Sequence, residues 1–123
     1  MLDPDILMWS KVQEGDEDAF KFLFLKYYQV LCLLSKQYTH DMTTAREVLQ
    51  DIFVYLWEHR QKININTSFK SYLSQAVRFN SIRRLNNDKK SGIRMDIIPE
   101  PENNNEFYDF MEYAELQKNI LEA

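Results

Sequence analysis

The stretch 45–57, AREVLQDIFVYLW, has apolar residues that recur at the spacing of an α-helix, and the rest of the chain is organised around it. They form one broad stripe, which predicts a helix packed in a core: Ala45, Val48, Leu49, Ile52, Phe53 and Leu56. The opposite side mixes acids, an amide, an aliphatic side chain and a tryptophan: Glu47, Gln50, Asp51, Val54 and Trp57. A large aromatic beside acids is typical of a protein contact, because aromatic anchors dominate interface energy. An alternative stays open, in which Trp57 only covers the end of the helix near the next loop.

The composition favours a helical domain with a substantial core. The chain has 123 residues, of which 45% are hydrophobic and 14% aromatic, and it has only two glycines and three prolines. The single cysteine, Cys32, lies in an apolar helical run, which predicts a buried thiol and a reducing, cytoplasmic location. The sequence contains neither an apolar run long enough to cross a bilayer nor a signal peptide, so no membrane insertion is expected.

Two helices are predicted before the central one. The first covers residues 4–14 and is stopped by Gly15, and the second runs from an Asp16 N-cap to about Thr39. The central helix is predicted to begin with a capping box, in which Thr43 or Thr44 is the N-cap and Glu47 follows, and to end near residue 58 or 59.

A fourth helix is predicted from a Thr67 or Ser68 cap to about Lys90. Its apolar residues gather on one arc: Phe69, Tyr72, Leu73, Ala76, Val77 and Phe79. Asn80 falls inside that arc, so its amide is expected to bond to the backbone or to another helix. The opposite side is predicted to carry Lys70, Ser74, Arg78 and Ser81.

The predicted fold is all-α, with a compact bundle of about four helices in a first domain over residues 1–94. Residues 95–105 are predicted to be a linker because they contain two prolines and an Asn triplet. Residues 106–123 are predicted to contain one further, acidic amphipathic helix. A lone amphipathic helix cannot bury its own apolar stripe, so it is expected to dock on another surface and to shield the basic fourth helix.

Charge is distributed unevenly along the chain. Residues 60–94 contain nine Lys or Arg against one acid, whereas residues 1–59 contain five against ten acids and residues 95–123 one against eight. A basic segment between two acidic ones predicts a polyanionic partner for the middle of the chain. The alternative is that the cations only solvate a long helix and complement its dipole.

The motifs of common catalytic sites are absent from the sequence. It has no glycine-rich phosphate loop, no Cys/His metal cluster and no Ser/His/Asp or Cys/His arrangement, so neither an enzyme nor a cofactor is expected. Two classes remain: a nucleic-acid-binding module, or an all-helical protein-interaction adaptor without DNA binding. Salt-dependent binding to single-stranded DNA separates them.

Three blocks, in order, resemble region 2 of the extracytoplasmic-function sigma factors, which are small bacterial transcription initiation factors: GDEDAFKFLFLKYY (15–28), AREVLQDIFVYLWEHR (45–60) and SFKSYLSQAVRFNSIRRL (68–85). The family's acid–acid–Ala–Phe pattern is matched at residues 17–20, and its Gln–acid–apolar–Phe step at residues 50–53. Its Phe–x–x–Tyr–Leu opening is matched from Phe69, and its Arg–x–Asn step at Arg78 and Asn80.

The resemblance implies partners for both surfaces. The exposed side of the third helix would dock on the clamp helices of the largest subunit of the RNA polymerase core, through Glu47, Gln50, Asp51 and Trp57, with Val54 on the same face. The loop 60–67 and the fourth helix would open the promoter −10 element and hold an unpaired base of the non-template strand. An anti-sigma factor is the usual inhibitory partner in this family.

Within that DNA surface, two roles are predicted. The cations are candidates for phosphate contacts: Arg60, Lys62, Lys70, Arg78, Arg83 and Arg84. Asn64 and Asn66 are candidates for base-edge contacts, because an amide both donates and accepts, and the loop has no aromatic side chain to stack a base. Asn80 is the weakest candidate, because it lies on the apolar arc.

Family members carry a second, helix-turn-helix domain that binds the −35 element. Residues 106–123 resemble the opening of its first helix, so the chain is expected to be a fragment that does not initiate transcription alone.

Overall fold

Four α-helices make up the part of the chain that the computed structural model describes, residues 3–86. They are α1 (Pro4–Gln13), α2 (Glu17–Thr39), α3 (Met42–Glu58) and α4 (Phe69–Asn86). No β-strand occurs within residues 3–86, and the predicted all-α fold is confirmed. The end of the predicted fourth helix, the linker 95–105 and the helix within 106–123 lie outside the described residues.

The turn between α1 and α2 forms as its sequence predicts. Gly15 adopts a left-handed φ of 97°, which costs glycine little because it has no Cβ. Asp16 then caps α2, because its side chain accepts a hydrogen bond of 3.0 Å from the backbone N–H of Ala19.

The cap predicted for α3 is wrong. Neither Thr43 nor Thr44 is the N-cap; Asp41 is, and its carboxylate accepts hydrogen bonds from the backbone N–H (3.1 Å) and the hydroxyl (2.6 Å) of Thr44. These bonds stabilise the charged form and lower the pKa of Asp41 below its usual value. The helix begins this early because His40 adopts a left-handed φ of 61° and ends α2 one residue before the cap.

For α4, one of the two predicted caps is observed. The hydroxyl oxygen of Ser68 accepts a hydrogen bond of 3.0 Å from the backbone N–H of Ser71, and α4 begins at Phe69.

The core lies where α2, α3 and α4 meet, with α1 packed against α2 and α4. The predicted apolar stripe of α3 is confirmed, because all six residues are buried. Phe53 meets Phe20 and Phe24 edge-on, with ring centroids 6.1 and 5.0 Å apart. Cys32 is also buried, as predicted, and burial raises the pKa of its thiol.

The division of α4 into a buried and a solvated side is wrong for two serines. Ser74 and Ser81 are buried rather than solvated. The Ser81 hydroxyl lies 2.7 Å from that of Ser35 on α2, and the Ser74 hydroxyl donates to the carbonyl of Lys70. The reason is that α4 contacts three helices, α1, α2 and α3, so one apolar arc does not describe its environment. Within residues 3–86, no helix has the length and apolar character needed to cross a membrane.

Candidate functional site

The solvent-facing side of α3 carries the predicted protein-binding residues, and we call Glu47, Gln50, Asp51, Val54 and Trp57 the α3 face. The first four are exposed, and Val54 retains 55% of its accessible surface. An exposed aliphatic side chain among acids and an amide gives this face both an apolar centre and directional polar groups.

Trp57 differs from the other members of the α3 face because it is partly buried. Its ring centroid lies 5.1 Å from that of Phe20, and the guanidinium carbon of Arg60 lies 4.2 Å from its ring centre. Arg60 also donates a hydrogen bond of 2.8 Å to the carbonyl of Trp57. These contacts agree with the alternative in which Trp57 covers the end of α3, so its removal would also disturb packing.

The loop 60–67 alternates between inward and outward side chains. Ile63 and Ile65 are partly buried and pack against the core, whereas Asn64 and Asn66 are exposed. Lys62, at the start of the loop, is exposed as well. The two amides predicted to contact bases therefore point away from the core, while their neighbours anchor the backbone.

The predicted phosphate contacts are spread along the whole of α4. Lys70 lies in its first turn, whereas Arg83 and Arg84 lie in its last turn, about 20 Å away at 1.5 Å per residue. Each of these residues and Arg78 is partly exposed. We call Lys62 and these four residues the basic surface.

Arg84 connects the two predicted surfaces. Its guanidinium is hydrogen-bonded to the carboxylate of Glu47. Because Glu47 is near the start of α3 and Arg84 near the end of α4, the two helices run antiparallel. The loop 60–67 and Arg84 therefore lie at opposite ends of the basic surface.

Asn80 does not lie on the basic surface, and its role in DNA binding stays a prediction. Its side chain is buried, and its amide nitrogen donates a hydrogen bond of 2.8 Å to the carbonyl of Ala76. This is the structural role that its position on the apolar arc predicted.

Sequence reasoning missed two polar residues at the ends of α1 that hold the loop 60–67: its last residue, Gln13, and its N-cap, Asp3. The amide nitrogen of Gln13 donates to the carbonyls of Arg60 and Ile63, both at 2.9 Å. The carboxylate of Asp3 accepts from the backbone N–H of Phe69 at 2.9 Å. The Asp–Pro pair at residues 3–4 is a recognisable helix start, but nothing in the local pattern indicates contacts with residues so far along the chain.

Tyr72, in the first turn of α4, carries a partly buried phenol. Burial, with a further contribution from nearby Tyr55, raises the pKa of Tyr72 to about 12, so this phenol stays protonated. Residues 3–86 also contain no group of three or more His, Cys, Asp or Glu side chains placed to bind a metal.

The chain was also compared with models of known protein families. Residues 23–91 match the family model described as Sigma-70 region 2. The matched stretch covers most of α2 and all of α3, the loop 60–67 and α4, so it contains both the α3 face and the basic surface. Neither curated proteins nor solved structures gave a match.

Proposed function

The chain belongs to the sigma-70 region 2 family, and on this premise we propose that it is a bacterial sigma factor of the extracytoplasmic-function type. Polymerase binding and promoter recognition during transcription initiation are the roles of this domain family, which is not a class of enzymes. One observation supports the proposal most strongly: the matched residues include both the α3 face, which mixes polar and apolar side chains, and a separate basic surface. The acid–acid–Ala–Phe step at residues 17–20 supports the narrower type.

The α3 face is the proposed docking site for the clamp helices of the polymerase's largest subunit. Val54 offers the apolar contact, and Gln50 and Asp51 flank it with polar groups that face solvent. Glu47 is exposed but already paired with Arg84, so its carboxylate contributes mainly at the edge of this contact.

Binding to immobilised bacterial core polymerase tests the α3 face. We expect Asp51→Lys and Val54→Asp each to weaken binding by about tenfold or more, because a reversed or newly buried charge is repelled or left unpaired. The matched control is Asp18→Lys, which makes the same charge reversal at an exposed position of α2. Normal binding by both α3 variants would rule out this face. Trp57→Ala is a poor test because of its packing on Phe20.

The loop 60–67 and the basic surface are the proposed site for the non-template strand of the −10 element. Cations along α4 would hold phosphates without reading sequence, and the exposed amides of Asn64 and Asn66 would bond to the edges of unstacked bases. Arg60 is already engaged, because its guanidinium donates to the carbonyl of Trp57 and lies over the Trp57 ring.

A random single-stranded DNA library, selected on the chain bound to core polymerase, tests this division of roles. Asn64→Ala and Asn66→Ala should change the selected bases, whereas Arg78→Ala should weaken all sequences alike. Asn86→Ala, at the exposed end of α4, is the matched control. A changed base preference for Arg78→Ala alone would overturn the division. Absence of any salt-dependent DNA binding would favour the protein-only adaptor.

Two further parts of the proposal follow from the sigma factor role. The protein would act in the bacterial cytoplasm, where polymerase and chromosome are found, and an anti-sigma factor would bind it to prevent polymerase association.

We also propose that the acidic residues 96–122 shield the basic surface. Deleting residues 96–123 should then strengthen single-stranded DNA binding, and unchanged affinity would refute the shielding.

A further inference from the structure

The loop 60–67 is fastened at its beginning by the last residue of α1. Gln13 uses both hydrogens of its amide, donating to the carbonyls of Arg60 and Ile63 at 2.9 Å each. Two bonds from one planar group fix the separation and orientation of those two carbonyls. The first turn of the loop is thereby closed over the end of α1.

The far end of the loop is fastened by the residue that precedes α1. One carboxylate oxygen of Asp3 accepts from the backbone N–H of Asp5 at 3.1 Å, and the other accepts from that of Phe69 at 2.9 Å. A single carboxylate therefore caps α1 and also lies at the start of α4, where a negative charge is favourable. The two ends of α1, about 15 Å apart, hold the two ends of the loop.

Between these two anchors, the backbone presents the amides of Asn64 and Asn66 to solvent while Ile63 and Ile65 pack inward. A recognition loop that is held in its bound shape loses less freedom on binding and discriminates better between ligands. Neither Gln13 nor Asp3 carries a cation or lies in the basic segment, so neither is a natural phosphate contact.

We propose that Gln13 and Asp3 are positioning residues that determine base discrimination by the loop 60–67. This inference rests on the proposed function of the loop in reading the −10 strand. Gln13 fixes where Asn64 begins its approach to a base, and Asp3 fixes the point at which the loop joins α4. Loss of either anchor lets the loop adopt several arrangements, which contact matched and mismatched bases about equally.

The test uses the chain bound to core polymerase and measures affinity by fluorescence anisotropy. The probes are the oligonucleotide that the wild-type complex selects from a random single-stranded library, and its single-base variants. Gln13→Glu keeps the size of the side chain but removes both donors, and Gln13→Ala removes the side chain; Asp3→Ala removes the second anchor. Gln37→Ala, an exposed glutamine on α2, is the matched control.

The readout is the ratio of affinities for matched and mismatched oligonucleotides. A variant that only unfolds part of the population lowers both affinities equally and leaves the ratio unchanged. We expect Gln13→Glu and Asp3→Ala to reduce the ratio by roughly tenfold, because a loop without its anchor is no longer held in the shape that favours the matched base. The salt slope and polymerase affinity should stay at wild-type values. Hydrogen exchange should accelerate in residues 60–69 and not in α3.

The inference would be overturned if Gln13→Glu, Gln13→Ala and Asp3→Ala all kept the wild-type ratio of affinities while Asn64→Ala reduced that ratio. If Asn64→Ala and Asn66→Ala leave discrimination intact, base reading by the loop is refuted, and the positioning role is refuted with it. A reduced ratio together with a reduced salt slope would also contradict the inference, because it would place the anchors in phosphate binding.

Discussion

Asp5 gives a direct test of what holds α1 on the bundle. Its carboxylate is only 6% exposed, and both oxygens accept from the ammonium of Lys26 at 3.0 Å, while one also accepts from the Tyr27 hydroxyl. The Lys26 side chain is 43% exposed, so water screens the ion pair and limits its value to about 1 kcal/mol or less. Tyr27 is buried, so depriving its hydroxyl of a charged acceptor costs about 1–3 kcal/mol.

We therefore expect unequal effects from the two ends of this ion pair. Asp5→Ala should lower the free energy of unfolding by about 2–4 kcal/mol, and Lys26→Met by about 1 kcal/mol or less. Asp5→Asn should lie between them, because its amide oxygen still accepts from Tyr27. In thermal unfolding followed by circular dichroism, each kcal/mol corresponds to about 4–8 °C for a domain of this size.

Equal losses of unfolding free energy in Lys26→Met and Asp5→Ala would show that the ion pair, rather than the buried hydroxyl bond, anchors α1. An Asp5→Ala cost below about 0.5 kcal/mol would show that the carboxylate contributes no more than an ordinary surface group.

Three smaller predictions concern the fold and the basic surface. Ser35→Ala and Ser81→Ala should each lower the free energy of unfolding by about 1 kcal/mol. The double variant should lose less than the sum of the two, because it leaves no hydroxyl without its partner. Additive losses in urea unfolding would contradict this. Folding lowers the pKa of Asp41. The stabilisation by this carboxylate is therefore present above the unfolded pKa of about 3.9, and it is lost as the pH falls through the lower pKa of the folded state. The stability of Asp41→Asn should thus depend less on pH in this acidic window, and an unchanged pH profile would refute the cap's role. Lys62→Ala should lower the salt slope of single-strand binding by about 0.7, whereas Asn64→Ala should leave the slope unchanged; equal slopes for both would contradict their separate roles.

The helices could be predicted from the sequence because their signals are local. The stripe of α3, the glycine stop after α1 and the Asp16 cap each depend on residues within one or two turns, and all are observed. The same local reasoning misplaced the start of α3, because two signals overlapped. Thr44 matches a capping box, but Asp41 has the stronger acceptor and the backbone turns at His40.

The site could be predicted only in part, because its remaining features depend on contacts between distant segments. The exposure of Asn64, Asn66 and four of the five residues of the α3 face followed from periodicity and from polar loop composition, whereas Trp57 is partly buried. The two anchors of the loop did not, since Gln13 bonds to residues 47 and 50 positions away. The burial of Ser81 likewise depends on α2 lying across α4, which a single helical wheel does not contain.

We propose that one small domain carries two separate surfaces, the α3 face for polymerase and the loop 60–67 with the basic surface for DNA. Two measurements on the same two variants test this proposal. The first is the affinity for core polymerase, and the second is the discrimination among single-stranded oligonucleotides by the assembled complex at saturating polymerase. We predict that Asp51→Lys weakens polymerase binding by about tenfold and keeps wild-type discrimination once assembled, whereas Asn64→Ala binds polymerase normally and loses discrimination. The proposal of two separate surfaces would be contradicted if each variant lost both properties, or if neither variant lost either property.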